Sequence, residues 1–512
     1  MATHILAHDL GTTGVKALLF GHDGRVTASA FEGYATHYPR AGWAEQAPAD
    51  WWDAICAATR RLLQQSQVQP ADVAAVSYSG QMMACLPIDA AGTPLRSAII
   101  WADVRAAAEA DQLAARVGRD RVYALTGHRP SASYTAAKAL WVRAHQPDLW
   151  ARTAKLLQPK DYLAYRLSGA LATDYSDASG TNLFALASRR WSQEILDAIG
   201  LPASLLPDAV PAATVIGHVT PEAARATGLA EGTPVVIGGG DGACATVGAG
   251  VVRPGDAYTY IGSSSWIAYV SPEPVLDPLQ RVFTFAHLDP AYLFPTGTMQ
   301  CAGGSYDWLV ALLRGDADAP DHAALDALAA SVPPGAGGLV YLPYLMGERS
   351  PHWNPRARGA YLGLTMAHGR AEVARATLEG VALNLGLILA AFRQAGAALP
   401  SMRVIGGGAR SATWRQILAD VFDLPLQRPR LLAEATALGA AIAGGVAVGV
   451  WPGYEVAAQF APAQPAEQPD PARVAAYQRL RDRFAEAYAR LEPWFDALPV
   501  EAAGSATASD SV

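Results

Sequence analysis

The stretch Ile5 to Phe20 constrains the fold more than any other: two apolar strand-forming runs are joined by Gly11-Thr12-Thr13-Gly14. A Gly/Thr turn presents backbone N–H groups and hydroxyls to an anion, as nests do around phosphate. Asp9 stands beside that turn, where a carboxylate repels phosphate but suits Mg²⁺ or its waters. The pattern recurs in the second half, where Ala257 to Val270 reads as two strands around Gly262-Ser263-Ser264. A duplicated fold is expected, each copy offering one phosphate turn to a shared cleft.

With 512 residues the chain exceeds what one core holds. Small residues at Gly248-Ala249-Gly250 and a turn at Arg253-Pro254-Gly255 divide it into 1–248 and 249–498, leaving 499–512 as a tail of Ala, Ser and acid expected to be disordered. Lys and Arg number 39 against 46 Asp and Glu, a net charge of −7 with no basic tract, so neither nucleic acid nor an anionic membrane is an expected partner. Cys56, Cys85, Cys244 and Cys301 are scattered without metal-binding spacing, which predicts reduced thiols in a cytoplasmic protein. Asp9 inside the first apolar run argues against a secretory signal. The uncharged stretch Ala435 to Tyr454 carries five glycines and Pro452, so it reads as a close-packed internal helix and loop, not a membrane span.

Helix and strand signals alternate along the chain, which predicts an α/β fold. His22-Asp23-Gly24 marks a hairpin, Trp51 to Gln64 a helix, Val73 to Tyr78 a strand and Ala106 to Val117 a helix. Leu378, Val381, Ala382, Leu385, Ile388, Leu389 and Phe392 follow helical spacing, and Asp470-Pro471 opens a last amphipathic helix.

Two further glycine-rich places carry chemistry. In Val235-Val236-Ile237-Gly238-Gly239-Gly240-Asp241-Gly242, a strand end delivers a carboxylate before a small-residue helix, where it can take a proton from a hydroxyl. Gly240, Gly242 and Ala245 formally match a dinucleotide fingerprint, but Asp241 would face the pyrophosphate and no acid follows at the ribose spacing. The plain alternative for Asp241 is a helix N-cap. Gly406-Gly407-Gly408-Ala409, ahead of a helix over Thr413 to Phe422, suits a nucleotide or equally a structural turn. No Gly-x-x-x-x-Gly-Lys-Ser/Thr run occurs, which excludes a P-loop.

Two long gapped patterns then stand out: Ser133-Tyr134-Thr135-Ala136-Ala137-Lys138-Ala139-Leu140-Trp141-Val142, and Gly359 to Leu364 followed by Glu372-Val373 and Ala376 to Glu379. Both resemble the signatures of the FGGY carbohydrate kinases, over roughly Ile5 to Leu491. Within that family, Gly42 to Gln46, Ser79 to Met82, Trp101 to Arg105, Pro159 to Tyr162 and Asp174 to Thr181 look like xylulokinase blocks. The resemblance implies two actin-like (ribonuclease H-like) domains with an interdomain cleft, the first binding sugar and the second nucleotide. It implies Asp9 as the Mg²⁺ residue, Gly11, Thr12, Thr13 and Lys16 at the phosphates, Gly262 and Ser263 as the second phosphate turn, and Gly407, Gly408 and Ala409 as the nucleotide loop. Asp241 matches the catalytic base, while Gln81, Met82, Met83, Trp101 and Asp103 match sugar-side positions. Asp174, Ser176 and Asp177 read equally as loop-fixing groups, and Gly347 to Pro351 as a structural block.

The expected reaction is transfer from ATP to a terminal hydroxyl of a small ketose, D-xylulose to D-xylulose 5-phosphate, by a protein the resemblance makes a homodimer. Two departures bear on the acceptor: Met83 replaces a histidine and Gly242 an asparagine of the xylulokinase pattern. Each removes hydrogen-bonding groups where sugar hydroxyls are read, so ribulose, gluconate, glycerol or another polyol remain alternatives. A non-catalytic actin-like nucleotide-binding protein is the alternative from another class, and the presence of both Asp9 and Asp241 argues against it.

Overall fold

The computed structural model describes residues 3–313, 321–429 and 434–498; the expected tail 499–512 lies outside them. The first half opens with β1 (His4–Leu10), β2 (Gly14–Phe20) and β3 (Val26–Gly33), an antiparallel meander turning at Gly24. After α1 (Pro48–Ser66), β4 (Val73–Gly80) returns parallel to β1. Helices α2 (Thr135–His145) and α3 (Pro159–Ser168) follow, then β5 (Val215–His218), β6 (Pro234–Val236) and the short β7 (Gly239–Gly240), which pairs with the end of β4. Among the described residues these strands form a seven-stranded sheet in the order β5-β6-β4-β1-β2-β3, with β7 beside β4. Helix α4 (Asp241–Gly248) leaves directly from β7.

The second half repeats the plan. Strands β8 (Ala257–Ile261) and β9 (Ser265–Tyr269) form the second hairpin, β10 (Phe283–Ala286) and β11 (Leu293–Met299) extend it, and after the long α5 (Arg370–Gln394), β12 (Met402–Ile405) runs parallel to β8 as β4 does to β1. Helix α6 (Ala412–Phe422), β13 (Leu426–Pro429), α7 (Ala435–Ala447), β14 (Ala463–Glu467) and α8 (Pro471–Ala497) complete it, in the sheet order β10-β11-β9-β8-β12-β13-β14. Helix α5 is long and apolar enough to cross a bilayer, yet it is buried in the second core, where Leu378, Val381, Leu385 and Phe392 are almost fully covered. Its apolarity is explained by packing on both sides.

Between the sheets lie α4 and α7, in one core with Ile5, Ala7 and Val236 of the first sheet and Tyr258, Ala268 and Ile405 of the second. Their crossing is close enough to exclude side chains: a Cβ on Gly248 would stand 1.6 Å from the Ala435 carbonyl oxygen, and one on Gly439 2.0 Å from that of Cys244. The Gly/Ala richness after Glu434 is therefore a packing requirement. Because α7 also touches β4, where a Cβ on Gly444 would meet Ser77 at 2.9 Å, a helix from beyond residue 249 covers the first sheet. The strands divide near 248, but the packing does not.

Candidate active site

Strands β1 and β8 both deliver a tight turn to the cleft, and the two turns are built alike. Around Gly11-Thr12-Thr13 the carbonyl oxygens are held from behind: Tyr34 Oη donates to Gly11 at 2.5 Å and Gln46 Nε2 to Thr12 at 2.7 Å. The Thr12 and Thr13 amides donate to no protein acceptor among the described residues. At the second turn, Gly303 N–H donates to Gly262 O at 2.8 Å and Ala302 N–H to Ser263 O at 2.8 Å, while the Ser263 and Ser264 amides have no acceptor among the described residues. Pinned carbonyls with unclaimed amides make a nest for an anion.

The second turn also divides two cavities. They measure ≈ 590 Å³ and ≈ 350 Å³. The larger of these is lined by Gly262, Ser263, Gly407, Gly408, Tyr306 and Trp414. Gly406 adopts φ 87°, and a Cβ there would stand 2.5 Å from Ile261 O, so the glycine loop after β12 lies directly on the end of β8. Ala409 is fully buried beneath it, and its carbonyl accepts from Arg415 Nη1 at 2.7 Å, so it supports the loop from inside.

The smaller cavity takes Thr12, Met82, Met83 and Trp101 from the first half, and Trp266, Phe283, Phe285 and Phe294 from the second. Asp241 and Gly242 complete it at the head of α4, and Ser264 belongs to the dividing turn. Trp101 Nε1 donates to Thr12 Oγ1 at 3.0 Å, tying this wall to the first turn.

Asp241 is the first residue of α4, and its Oδ1 accepts the Gly242 N–H at 2.7 Å. The side chain is open to the cleft, but protein from both halves surrounds it, so water solvates it only partly. This confinement, reinforced by the charge of Asp9, raises its pKa to about 7. The two carboxylates thus sense one another across the cleft. Burial also raises Asp9, against the Ser79 hydroxyl that donates to Oδ1 at 2.8 Å and the charge of Lys16 beside it on β2. Lys16 Nζ stands 3.9 Å from Glu434 as well.

Behind Asp241, the Gly240 N–H donates to Ser176 Oγ at 2.9 Å, and Ser176 is held by Asp174. Asp174 pairs at 2.9 Å with Lys160, which also meets Asp161 at 2.8 Å and Asp177 at 3.1 Å. These groups are buried and fix the strand end that presents Asp241; their side chains reach no cavity. His287, also buried, accepts the Asp289 N–H at 3.1 Å.

The family follows from the chain's match along its length. Residues 4–248 match the N-terminal domain of the FGGY family of carbohydrate kinases, and residues 257–448 match its C-terminal domain. The chain belongs to the FGGY family of carbohydrate kinases. It is 38% identical to a xylulose kinase of Escherichia coli (strain K12), over 95% of this chain and 98% of that one. A xylulose kinase of Bacillus subtilis (strain 168) is 34% identical over 95% and 96% of the two chains. The crystal structure of a gluconate kinase from Lactobacillus acidophilus superposes with a TM-score of 0.91 at 28% identity, covering 96% of this chain and 99% of that one.

This FGGY kinase is a phosphotransferase with an alcohol acceptor and ATP as donor. Two residues expected on the acceptor side stand elsewhere. Asp103 is fully buried, with both oxygens occupied by the Arg105 guanidinium and the Ala44 N–H, so it fixes the Trp101 loop and is not among the residues lining the smaller cavity. Gln81, 1% exposed, bonds Gly11 O at 3.3 Å and Gln46 Oε1 at 2.7 Å, bracing the Gly11-Thr12-Thr13 turn from behind. Conversely, Arg349, expected to be structural, lines the smaller cavity with Trp353. The sequence signal was the Gly347-Glu348-Arg349-Ser350-Pro351 block itself; Phe283 and Phe285 had none.

Proposed function

We propose that this FGGY kinase transfers the γ-phosphoryl group of ATP to the terminal hydroxyl of D-xylulose, giving D-xylulose 5-phosphate. The xylulose kinases among its relatives support the choice of acceptor. The observation that carries the chemistry is the place of Asp241, between an aromatic-walled cavity of ≈ 350 Å³ and the phosphate turns, with a pKa near neutrality. A base so poised takes the hydroxyl proton as the oxygen attacks in line. Asp241 accepts that proton, the nests around Thr12 and Ser263 hold phosphate oxygens, and the two halves exclude water that would otherwise compete as acceptor.

Asp9 fits Mg²⁺. One of its oxygens is taken by Ser79, and the other accepts no hydrogen bond among the described residues. No cluster of three or more His, Cys, Asp or Glu side chains suited to a metal is present among them. A single carboxylate matches an ion that keeps waters and phosphate oxygens as its other ligands. When bound, Mg²⁺ offsets charge on the phosphate oxygens. Such a reaction belongs in the cytoplasm, which agrees with four free, buried cysteines.

Asp241→Asn tests the assignment: ATP binding persists while kcat falls by about a hundredfold or more, the range of general-base contributions. Near-normal turnover of this variant overturns the role of Asp241. A second reading, another polyol or sugar acid as acceptor, is favoured by Met83 and Gly242, two places on the cavity wall with no side-chain hydrogen-bonding donor. Turnover across D-xylulose, ribulose, gluconate and glycerol decides between them.

A further inference from the structure

We propose that Lys138 is the positioning residue that sets the shape of the acceptor cavity, by fastening three separate segments of its wall to one ammonium group. Lys138 lies on α2 and is fully buried. Its Nζ donates to the carbonyl oxygens of Met83 at 2.8 Å, Ile100 at 2.8 Å and Ser133 at 2.6 Å. Met83 and Ser133 line the cavity, and Ile100 immediately precedes Trp101, which lines it too. All three ammonium hydrogens are thereby used, and no carboxylate stands within ion-pair distance among the described residues.

A buried cation without a paired anion is a costly way to fill a core, and an apolar side chain would satisfy packing alone. What the ammonium supplies is three donors at one point, an arrangement that joins three carbonyls converging from separate segments of the chain. Met83 shows the need for it. Its φ is 65°, in the left-handed region that non-glycine residues occupy only when the surroundings hold them there. The Lys138 bond to its carbonyl is one such hold, and the Thr135 hydroxyl grips the next carbonyl, Ala84 O, at 2.8 Å.

The titratable groups facing Lys138 are Asp103, Cys85 and Arg105. Burial pushes the ammonium down to about 7, opposed by Asp103 and Cys85 and reinforced by Arg105. Above that pH two hydrogens remain for three carbonyls, so acceptor affinity falls as pH rises. The effect on stability has the opposite sign. The unfolded lysine titrates near 10.4, so between about 7 and 10.4 the unfolded state binds more protons and this group's contribution to stability rises with pH. A lysine with only a structural role changes stability across that window and leaves acceptor affinity flat.

The inference rests on the kinase reading but not on the identity of the acceptor. The acceptor used is the panel member with the highest kcat/KM on the unaltered enzyme, so failure of D-xylulose appears there before any variant is made. In Lys138→Met, KM for that acceptor rises at least about tenfold while KM for ATP stays within about twofold. Because this variant can fail to fold, acceptor binding is also titrated calorimetrically from about pH 6 to 8.5 in the double variant Asp241→Asn, Glu348→Gln, which removes Asp241 and the buried Glu348 beside Arg349, raised to about 8, both of which titrate in the same range. Affinity that falls through this range supports the proposal; flat affinity there, or an unchanged acceptor KM in folded Lys138→Met, overturns it.

Discussion

The near-neutral Asp241 makes a pH profile the most direct test of the cleft. Partial desolvation in the cleft and the Asp9 charge lift its pKa from 3.8 to about 7, and the backbone bond from Gly242 opposes them only in part. In the proposed role Asp241 works ionised. With both substrates far below KM, the profile reports the free enzyme, and kcat/KM falls about tenfold for each pH unit below about 7. Initial rates by coupled ADP detection, in buffers of constant ionic strength between about pH 5 and 8.5, give the limb. An enzyme with equal kcat/KM at pH 5 and pH 7 would falsify the reasoning, because an unshifted carboxylate is fully ionised at both. The stability linkage has its own sign: a carboxyl whose folded pKa exceeds its unfolded value binds more protons when folded, so between 3.8 and about 7 this group's contribution declines as pH rises.

Two substitutions probe the scaffold. Gly439→Val drives a side chain into the Cys244 carbonyl, 2.0 Å from the Cβ position, and is expected to destabilise the protein by roughly 1–3 kcal/mol or more in urea unfolding; a change below about 0.5 kcal/mol means that α4 and α7 are not in such contact. Gly242→Ala, by contrast, meets only Phe294 at 3.6 Å inside a helix, so thermal unfolding shows unchanged or raised stability. A marked fall in its Tm contradicts the geometry at the mouth of α4.

Much of the site was legible because its chemistry is local. Gly11-Thr12-Thr13 and Gly262-Ser263-Ser264 announce anion turns through residue type alone, and Asp241 announces itself by standing where a glycine-rich strand end becomes a helix. Asp103 misled because Trp101-Ala102-Asp103-Val104-Arg105 does not reveal which way each side chain points. Once folded, Arg105 closes on Asp103 with Nη2 at 2.6 Å and leaves it no free oxygen. Phe283 and Phe285 carry no local mark of ligand contact, since they reach the cavity only when the second sheet is set against the first, and the Gly347 to Pro351 block marks Arg349 without saying which way its side chain points.

Residue order and type were enough for the class of fold, its internal repetition and the choice of Asp9 and Asp241 as candidates, since strand alternation, turn chemistry and the placing of a charge beside glycines are decided within a few neighbours. Tertiary packing alone decided that Asp9 and Asp241 sense each other, that one ammonium gathers three walls, and that α7 crosses to the first sheet. Those outcomes depend on burial and on contacts between residues far apart in the chain, and such contacts exist only after the two sheets close around α4 and α7.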